Sequence, residues 1–223
     1  MVEVTGGFLL VISLIMFLYS IRHFIFGMNR LFSRQKTGFE GIQDAPWPAL
    51  TVFIAAHNEE AVVGHCIESL LKTNYPHDRL CIIPVNDRST DGTRIVCDDW
   101  AARYPHLIKP FHRRDGRAGK PAALMDAVRQ APESEVYVIF DADYLPAPGL
   151  LKQIVAPLFD PQIGVTMGRV VPQNTGRNLL TRLLDMERSA GYQGDQQARQ
   201  NTGLLPQFGG CLLYTSPSPR DRG

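Results

Sequence analysis

The chain has 223 residues, of which 44% are hydrophobic and 20% are charged, enough apolar material for one sizeable folded domain. Its 23 basic and 22 acidic side chains leave a formal net charge of +1, so composition gives no reason to expect a nucleic-acid partner. Cys66, Cys81 and Cys97 are well separated, with neither a C-x-x-C pair nor a histidine at metal-ligand spacing. We expect them to be reduced core thiols in a cytosolic domain.

The first predicted element is an uncharged apolar run over residues 6–21, followed by a basic flank that begins at Arg22. A cleaved signal peptide needs a basic residue before the run and small residues after it, whereas Glu3 precedes this run and Arg22 and His23 follow it. We therefore predict an uncleaved membrane anchor over 1–36, with the following domain in the cytoplasm by the positive-inside rule. The run is slightly shorter than the ~20 residues of a typical span, so a tilted or interfacial helix is the alternative.

After a linker over 37–49, residues 50–210 alternate between short apolar runs and stretches with helical spacing. The predicted strands cover 50–56, 80–85, 107–111, the run from Val136 to the aspartates, and 163–171; the predicted helices cover 58–74, 90–104, 121–129 and 149–159. Asn58 is the expected N-cap of the first of these helices. The alternation predicts an α/β fold with a mostly parallel sheet and helices on both faces.

Polar clusters follow the carboxyl ends of the predicted strands, where open α/β sheets bind ligands. The clusters are HNE, NDRSTDGT and DAD, joined by RAGK ahead of the third helix. Asp141 and Asp143 are two residues apart, so in a strand they share a face, and two close carboxylates repel each other unless a cation sits beside them. A divalent ion with oxygen ligands that leaves room for a phosphate meets this need. Solvation of both aspartates, or capping of the next helix, is the alternative.

Taken in order, HNE, VNDRSTDGT, the lysine of GKPAAL and FDADYLP resemble the nucleotide-sugar half of family 2 glycosyltransferases with the GT-A fold. The resemblance covers about residues 50–210. With a membrane anchor ahead of it, the chain is similar to the processive synthases of cellulose, hyaluronan and poly-N-acetylglucosamine. The segment over 178–210 resembles the β-glucan and glucomannan synthases. The resemblance implies a UDP- or GDP-sugar donor, a glycan acceptor and a membrane location.

The resemblance also implies roles for individual residues. Ala55, His57 and Glu59 lie where the loop after the first strand contacts the nucleotide, and Asp87 lies where an aspartate binds the base or ribose. The implied neighbours of the diphosphate are Lys120, which packs by the nucleotide, Asp141, which lies toward the ribose, and Asp143, which with Asp141 coordinates Mg²⁺ or Mn²⁺. His57 departs from the usual tyrosine or proline-rich context. Asp91 has an equal alternative as a hydrogen-bond acceptor that braces its own loop.

The general base of the family is an aspartate in a T-E-D-like motif, and we expect it beyond Gly210. Asp185 and Asp195 match no base motif, and we interpret both as solvated residues on a helix face. Three alternatives stay open: transfer of a single sugar to a lipid or small acceptor, a nucleotide-sugar-binding subunit without catalysis, and an aspartate-nucleophile phosphatase. The phosphatase alternative leaves HNE and NDRSTDGT without a role.

The last thirteen residues, CLLYTSPSPRDRG, break the apolar rhythm of the chain. Residues 211–216 translate back to the end of a transposon used to fragment DNA for sequencing, and 217–221 fit the adaptor that follows it. We therefore expect 211–223 to be a non-native tail that forms polar coil.

Overall fold

The computed structural model of the protein describes residues 2–32, 46–204 and 212–215. The chain divides into two compact units. One unit combines the N-terminal helix with Arg169–Gln207, and the other contains the described residues 46–168 and 212–215.

The elements follow in chain order. They are α1 (Val2–Phe32), β1 (Leu50–Ala56), α2 (Val63–Leu71), β2 (Leu80–Asp87), α3 (Thr93–Arg103), β3 (Phe111–Arg113), α4 (Lys120–Gln130), β4 (Val136–Asp141), α5 (Leu150–Val155), α6 (Leu179–Ala190), α7 (Gln197–Asn201) and β5 (Leu212–Thr215). A 3-10 turn, Ala156–Phe159, continues α5, and a π-helical turn, Gly191–Gln196, joins α6 to α7.

The sheet has the strand order β3-β2-β1-β4-β5. The first four of these strands are parallel, and β5 is antiparallel to β4. Parallel neighbours need crossover connections, and the helices between the strands supply them. The predicted α/β fold with a mostly parallel sheet is confirmed.

Both faces of the sheet are covered by apolar side chains. On β1, Val52 and Ile54 belong to the core cluster that includes residues of α2, α3 and α5, whereas Phe53 belongs to a second cluster with Ala123 and Leu124 of α4. This alternation follows from the two-residue period of a strand. A central strand that is apolar on both faces is what a parallel sheet covered by helices requires.

The first crossover helix begins later than the sequence predicts. Helix α2 starts at Val63, and its N-cap residue, Val62, makes no side-chain capping bond. The expectation that Asn58 caps this helix is wrong, because Asn58 Oδ1 instead accepts a hydrogen bond from the backbone N–H of Thr90, at 2.8 Å. Asn58 adopts a left-handed conformation, with φ 58°, which places it in a turn before the helix.

Two predictions about strands are also wrong. Residues 163–171 form no strand, and β3 begins four residues later and ends two residues later than the predicted strand 107–111, with an isolated bridge between Ile82 and Ile108 before it. The tail was expected to be coil, but Leu212–Thr215 forms β5. These four residues are apolar or β-branched, and they pair with the edge of β4, from Val136 to Ile139. The segment 163–171 consequently has no free strand edge beside β4.

Helix α1, in the unit that also includes Arg169–Gln207, is long and apolar. Within α1, residues Thr5–Asn29 have a mean hydropathy of 2.1, and none of this stretch is buried. It is the one helix in the described part of the chain that is long and apolar enough to cross a membrane. The apolar stretch is longer than the sixteen-residue run used for the prediction, because the helix continues beyond Arg22 with Phe24, Ile25 and Phe26.

In helix α6 the polar side chains are partly buried and the apolar side chains are exposed, the reverse of an ordinary amphipathic helix. A capping box between Asn178 and Thr181 begins the helix. Thr181, Asp185 and Ser189, one turn apart, are half-buried, and Arg169 donates a 2.8 Å hydrogen bond to Ser189 Oγ. The exposed apolar side chains of the same helix are Leu179, Leu180, Leu183, Leu184 and Met186.

Asp195 is not the solvated residue that the sequence suggested. Its carboxylate pairs with Arg22 of α1 and accepts a 2.8 Å hydrogen bond from Arg199 Nε. Asn201 of α7 also donates to Asn29 Oδ1 at 2.8 Å. The helical spacing of this segment indicated that Asp195 lies on a helix face. It could not indicate the ion pair with Arg22, because the two residues are 173 positions apart.

One buried polar pair gives a direct test of the fold. Thr51 Oγ1 and Ser134 Oγ lie 2.7 Å apart, and both residues are buried. Thr51→Val should lower the free energy of unfolding by about 1–3 kcal/mol, because it leaves the Ser134 hydroxyl buried without a partner. Thr51→Val combined with Ser134→Ala should cost less than Thr51→Val alone. Urea denaturation measures both, and equal costs would show that water reaches the Ser134 hydroxyl.

Candidate active site

The carboxyl ends of the four parallel strands bring the predicted polar residues to one edge of the sheet. Across β1, Ala55 pairs in register with Val85 on one side and with Asp141 on the other. Asp87 ends β2 and pairs with Arg113, which ends β3. Half-buried Ala55 and exposed His57 lie at the end of β1 between the two aspartates. The strand register therefore aligns Ala55 with Asp141, and Asp87 lies on the same rim, two residues beyond the β2 partner of Ala55.

The loops after β1 and β2 are joined by reciprocal hydrogen bonds. The Asn58 backbone N–H donates to Ser89 Oγ at 3.0 Å, while Asn58 Oδ1 accepts from Thr90 N–H. The Glu59 backbone N–H donates to Thr93 Oγ1 at 2.8 Å, and the Glu59 carbonyl accepts from Val63 N–H at 3.0 Å. Glu59 thus links the end of β1 to the starts of both α2 and α3. The two sequence motifs HNE and NDRSTDGT form one braced structure.

Asp91 is a bracing residue of this structure. Its carboxylate accepts from the backbone N–H groups of Thr93, at 3.0 Å, and Glu60, at 3.1 Å. Burial alone would raise the pKa of Asp91, but the hydrogen bonds from Thr93 and Glu60 outweigh it and hold the pKa below its ordinary value. This arrangement confirms the loop-bracing alternative for Asp91.

Asp87 lies where His57 and two arginines meet. His57 Nδ1 lies 2.6 Å from the Asp87 carbonyl oxygen, so this ring nitrogen carries the proton and donates. Asp87 Oδ1 accepts from Arg88 Nε at 3.0 Å and from Arg113 Nη1 at 3.1 Å. Burial would raise the pKa of Asp87, but the hydrogen bonds from Arg88 and Arg113 lower it overall. The carboxylate is consequently ionised and accepts hydrogen bonds only.

At the other end of the rim, Lys120 begins α4 and its ammonium group pairs with Asp141 Oδ1. The preceding residue, Gly119, has φ 109°, a left-handed conformation that lets the chain turn sharply into the helix. Both side chains of the pair are partly exposed, at 41% for Lys120 and 33% for Asp141. A nucleotide lying along this rim could therefore contact both groups.

The two aspartates of DAD do not share a strand face as predicted. Asp141 is the last residue of β4, and Asp143 lies in the turn after it, where Tyr144 N–H donates to the Asp141 carbonyl at 3.1 Å. The turn keeps both carboxylates close to the thiol of Cys66, whose pKa they both raise. Asp143 is exposed, and no cation pairs with it among the residues that the structure describes.

The donor chemistry of this turn fits a hard divalent ion that a substrate helps to bind. The described residues contain no group of three or more histidine, cysteine, aspartate or glutamate side chains that could enclose an ion by themselves. Mg²⁺ and similar ions commonly bind through one or two carboxylates and complete their shell with substrate phosphates and water. Asp143, beside Asp141, offers this kind of open site.

Cys66 lies behind the turn and is unsuited to be a nucleophile. Burial, followed by the charges of Asp143 and Asp141, raises its pKa to about 12. We expect alkylation of Cys66 by iodoacetamide at pH 8 to be much slower than that of half-buried Cys81, as measured by peptide mass spectrometry. Equal rates would contradict the described burial.

The raised pKa of Cys66 makes the folded state less stable at high pH. The folded state keeps the Cys66 thiol protonated to a higher pH than the unfolded chain does, so the unfolded state releases its proton first. The contribution of Cys66 to stability is therefore complete below pH about 9 and falls as the pH rises toward about 12.

Arg113 is a residue that the sequence analysis missed. Its side chain is only 4% exposed and bridges Asp87 and Asp126 of α4, with 2.8 Å between Arg113 Nε and Asp126 Oδ2. The predicted strand ended at Phe111, which left Arg113 in a loop. A charged residue at the end of an apolar and aromatic run, in register with Asp87, is the signal that could have revealed it.

Comparison with known proteins assigns a family to this arrangement. The model of the family described as "Glycosyl transferase family 2" matches residues 51–218. This range includes every predicted site residue, from Ala55 to Asp143. The match favours the glycosyltransferase hypothesis over the phosphatase hypothesis.

Curated relatives differ in their named acceptors. A β-monoglucosyldiacylglycerol synthase of Synechocystis is 32% identical over 61% of this chain and 28% of its own length. Glucomannan 4-β-mannosyltransferase 7 of Arabidopsis thaliana is 31% identical over 81% of this chain and 35% of its own length. The chain thus spans about a third of the length of the curated relatives it matches.

Solved structures confirm the fold. A mannosyltransferase from Pyrobaculum calidifontis, in complex with GDP-Man and Mn²⁺, superposes with a TM-score of 0.65 at 24% identity, over 90% of this chain and 55% of that one. Glucosyl-3-phosphoglycerate synthase from Mycobacterium tuberculosis, in complex with Mn²⁺, UDP and phosphoglyceric acid, has a TM-score of 0.50 at 20% identity, over 75% of this chain and 56% of that one. The predicted GT-A type of α/β fold agrees with both.

Proposed function

Because this chain belongs to glycosyl transferase family 2, we propose that it forms the donor-binding part of a hexosyltransferase that uses a UDP- or GDP-sugar. The observation that carries the proposal is the rim at the carboxyl ends of the parallel strands, where Asp87 ends β2, Asp141 and Asp143 close β4, and Lys120 begins α4. Asp87 would contact the base or ribose at one end, and Asp143 would lie by the diphosphate at the other. The relatives with GDP-Man and UDP in their named complexes support a donor of this class.

The residues of the rim divide the work of binding the donor. Lys120 would place its positive charge beside the nucleotide, and its contact with Asp141 holds it there before the donor arrives. Asp143 and Asp141 would hold Mn²⁺ or Mg²⁺, which supplies Lewis-acid stabilisation of the charge that develops on the departing diphosphate. The hydrogen-bonded loops after β1 and β2 would hold Asp87 in place while the sugar is transferred.

The acceptor hydroxyl needs a general base on the side of the sugar opposite the diphosphate. Asp195 is unsuited to this task, because Arg22 and Arg199 already engage its carboxylate. We propose, from the resemblance to the family's T-E-D-like motif, that the general base lies beyond Gly210.

We propose a glycan acceptor, as in a polysaccharide synthase. The glucomannan relative matches 81% of the chain, including residues well beyond the rim, whereas the diacylglycerol relative matches 61%. A lipid acceptor is the second candidate, because that relative has the higher identity, 32% against 31%.

Calorimetry of the purified chain with UDP and GDP, with and without Mn²⁺, tests the donor proposal. We expect metal-dependent binding of at least one of the two. Binding of neither, by a chain that melts cooperatively, would contradict the proposal. Incubation of a longer homologous chain with UDP-glucose or GDP-mannose, and with either β-glucomannan oligomers or diacylglycerol vesicles, would then separate the two acceptors.

We further propose that α1 anchors the chain in a membrane with the sheet on the cytoplasmic side. The 25 residues of Thr5–Asn29 form a helix long enough to cross, at about 1.5 Å per residue. Arg22 lies toward the end of this stretch and is the charge that sets the expected orientation.

A cysteine introduced at Ala102, an exposed position on α3, tests the orientation. In intact cells it should be protected from a membrane-impermeant maleimide, and it should react after lysis. The control is the chain without this substitution, in which Cys66 and Cys97 are buried and Cys81 is half-buried, and Cys211 is replaced by serine in both chains. Labelling of the variant in intact cells would place the sheet on the outer side.

A further inference from the structure

We infer that Arg113 is a positioning residue that orients Asp87 toward the nucleobase of the donor. The inference rests on the proposed donor-binding function, and it adds to that function a residue that touches no substrate itself. Its basis is a buried guanidinium that joins three separate parts of the rim.

The first part of the argument is the way Arg113 holds Asp87. Arg113 is the last residue of β3 and lies in register with Asp87, the last residue of β2. Its Nη1 donates to Asp87 Oδ1, and its Nε donates to Asp126 Oδ2 on α4. The guanidinium is rigid and planar, so its bond to Asp126 fixes its orientation, and its bond to Asp87 then restrains the rotation of the Asp87 side chain.

The second part is the oxygen that remains available. Asp87 Oδ1 already accepts from both Arg88 and Arg113, whereas Asp87 Oδ2 accepts no hydrogen bond from the described residues. A carboxylate locked through one oxygen presents the other in a fixed direction. Because this carboxylate is an acceptor only, the matching ligand group is an N–H donor on the edge of a base, such as the imide N–H of uracil or the N1–H of guanine.

The third part is the glycine that closes over the guanidinium. Gly116 has φ 105°, and a Cβ at this position would lie 2.6 Å from Arg113 Nη2. The loop between β3 and α4 therefore passes directly against Arg113, and three residues later it ends at Gly119 and Lys120. Arg113 thus supports both the base end of the rim, through Asp87, and the loop that delivers Lys120.

Two variants test this inference from different directions. Arg113→Lys keeps the charge but removes the planar fork, and Gly116→Ala keeps the arginine but displaces it through steric contact. The probes are UDP, GDP and inorganic pyrophosphate, each titrated in the presence of Mn²⁺. Pyrophosphate reports the metal and Lys120 without the base.

We expect both variants to weaken the tighter-binding nucleoside diphosphate by about tenfold, equivalent to about 1.4 kcal/mol, while pyrophosphate affinity changes by less than about twofold. Arg114→Lys and Gly203→Ala are the matched controls, because Arg114 is exposed, and Gly203 also has a positive φ, of 71°, but a Cβ there meets nothing within 4 Å. Equal weakening of nucleotide and pyrophosphate would reduce Arg113 to a general structural role and overturn the inference, as would unchanged nucleotide affinity. If the parent chain bound pyrophosphate but neither nucleotide, the donor proposal itself would be wrong, which is a different result.

Discussion

Asp143→Asn is expected to remove the metal-dependent part of nucleoside diphosphate binding. Asparagine has almost the same shape as aspartate but has no charge, and a hard divalent ion depends on anionic oxygen. Loss of a residue that only supports a metal ligand costs about 10–100-fold in metal affinity, and loss of a ligand itself should cost at least as much. Titration of UDP or GDP in the presence of Mn²⁺, compared with the same titration in EDTA, measures the effect.

Asp99→Asn is the control for this prediction, since Asp99 is an exposed carboxylate on α3 and lies outside the rim. It should bind metal and nucleotide like the parent chain. Because Asp143 is exposed, its replacement should leave the melting temperature of the chain almost unchanged. Preserved Mn²⁺ dependence in a folded Asp143→Asn variant would mean that the ion is held elsewhere.

The succession of strands and helices along the chain could be predicted because these elements depend on local patterns. Leu50–Ala56 was predicted to the residue, since the prolines at 46 and 48 precede this apolar run and the polar residues from His57 follow it. The beginning of α2 was wrong because Asn58 had two possible partners, its own helix and Thr90, and the sequence does not show that Thr90 lies opposite. Tertiary contacts decide such cases.

The ends of the sheet were harder to predict for a related reason. Residues 163–171 have the composition of a strand, but a strand needs an edge with which to pair, and β5 pairs with β4 instead. The short run Leu212–Thr215 was hidden by the prolines and serines that follow it. Composition favours a strand only where a neighbour offers unpaired backbone groups.

The residues of the candidate site were predicted better than the residues that hold them in position. Asp87, Asp141 and Lys120 were predicted from motifs that end strands or begin helices, and the structure places each at the expected edge. The pair Arg113–Asp126 was not predicted, because it is an ion pair between two elements, thirteen positions apart, and no local sequence pattern indicates such a contact.

The helix that carries Lys120 depends on a single large side chain beneath it. Phe53, at the centre of β1, is fully buried in the cluster formed with Ile83, Val85 and the α4 residues Ala123, Leu124 and Ala127. The centroid of its ring also lies 5.8 Å from the ring centroid of Tyr137 on the neighbouring strand β4. Two of the α4 residues are alanines, so they cannot fill the space that a smaller residue at position 53 would leave.

Phe53→Ala should therefore lower the free energy of unfolding by about 3–5 kcal/mol, a large part of the ~5–15 kcal/mol that stabilises a typical domain. Phe53→Leu keeps most of the volume and should cost less than about 1.5 kcal/mol. Urea denaturation at 25 °C measures both, and calorimetry below the transition shows whether the Leu variant still binds nucleotide with Mn²⁺. A small cost for Phe53→Ala would mean that α4 collapses onto β1 and fills the cavity. In that case Lys120 would move with its helix, and nucleotide affinity should fall even though stability is retained.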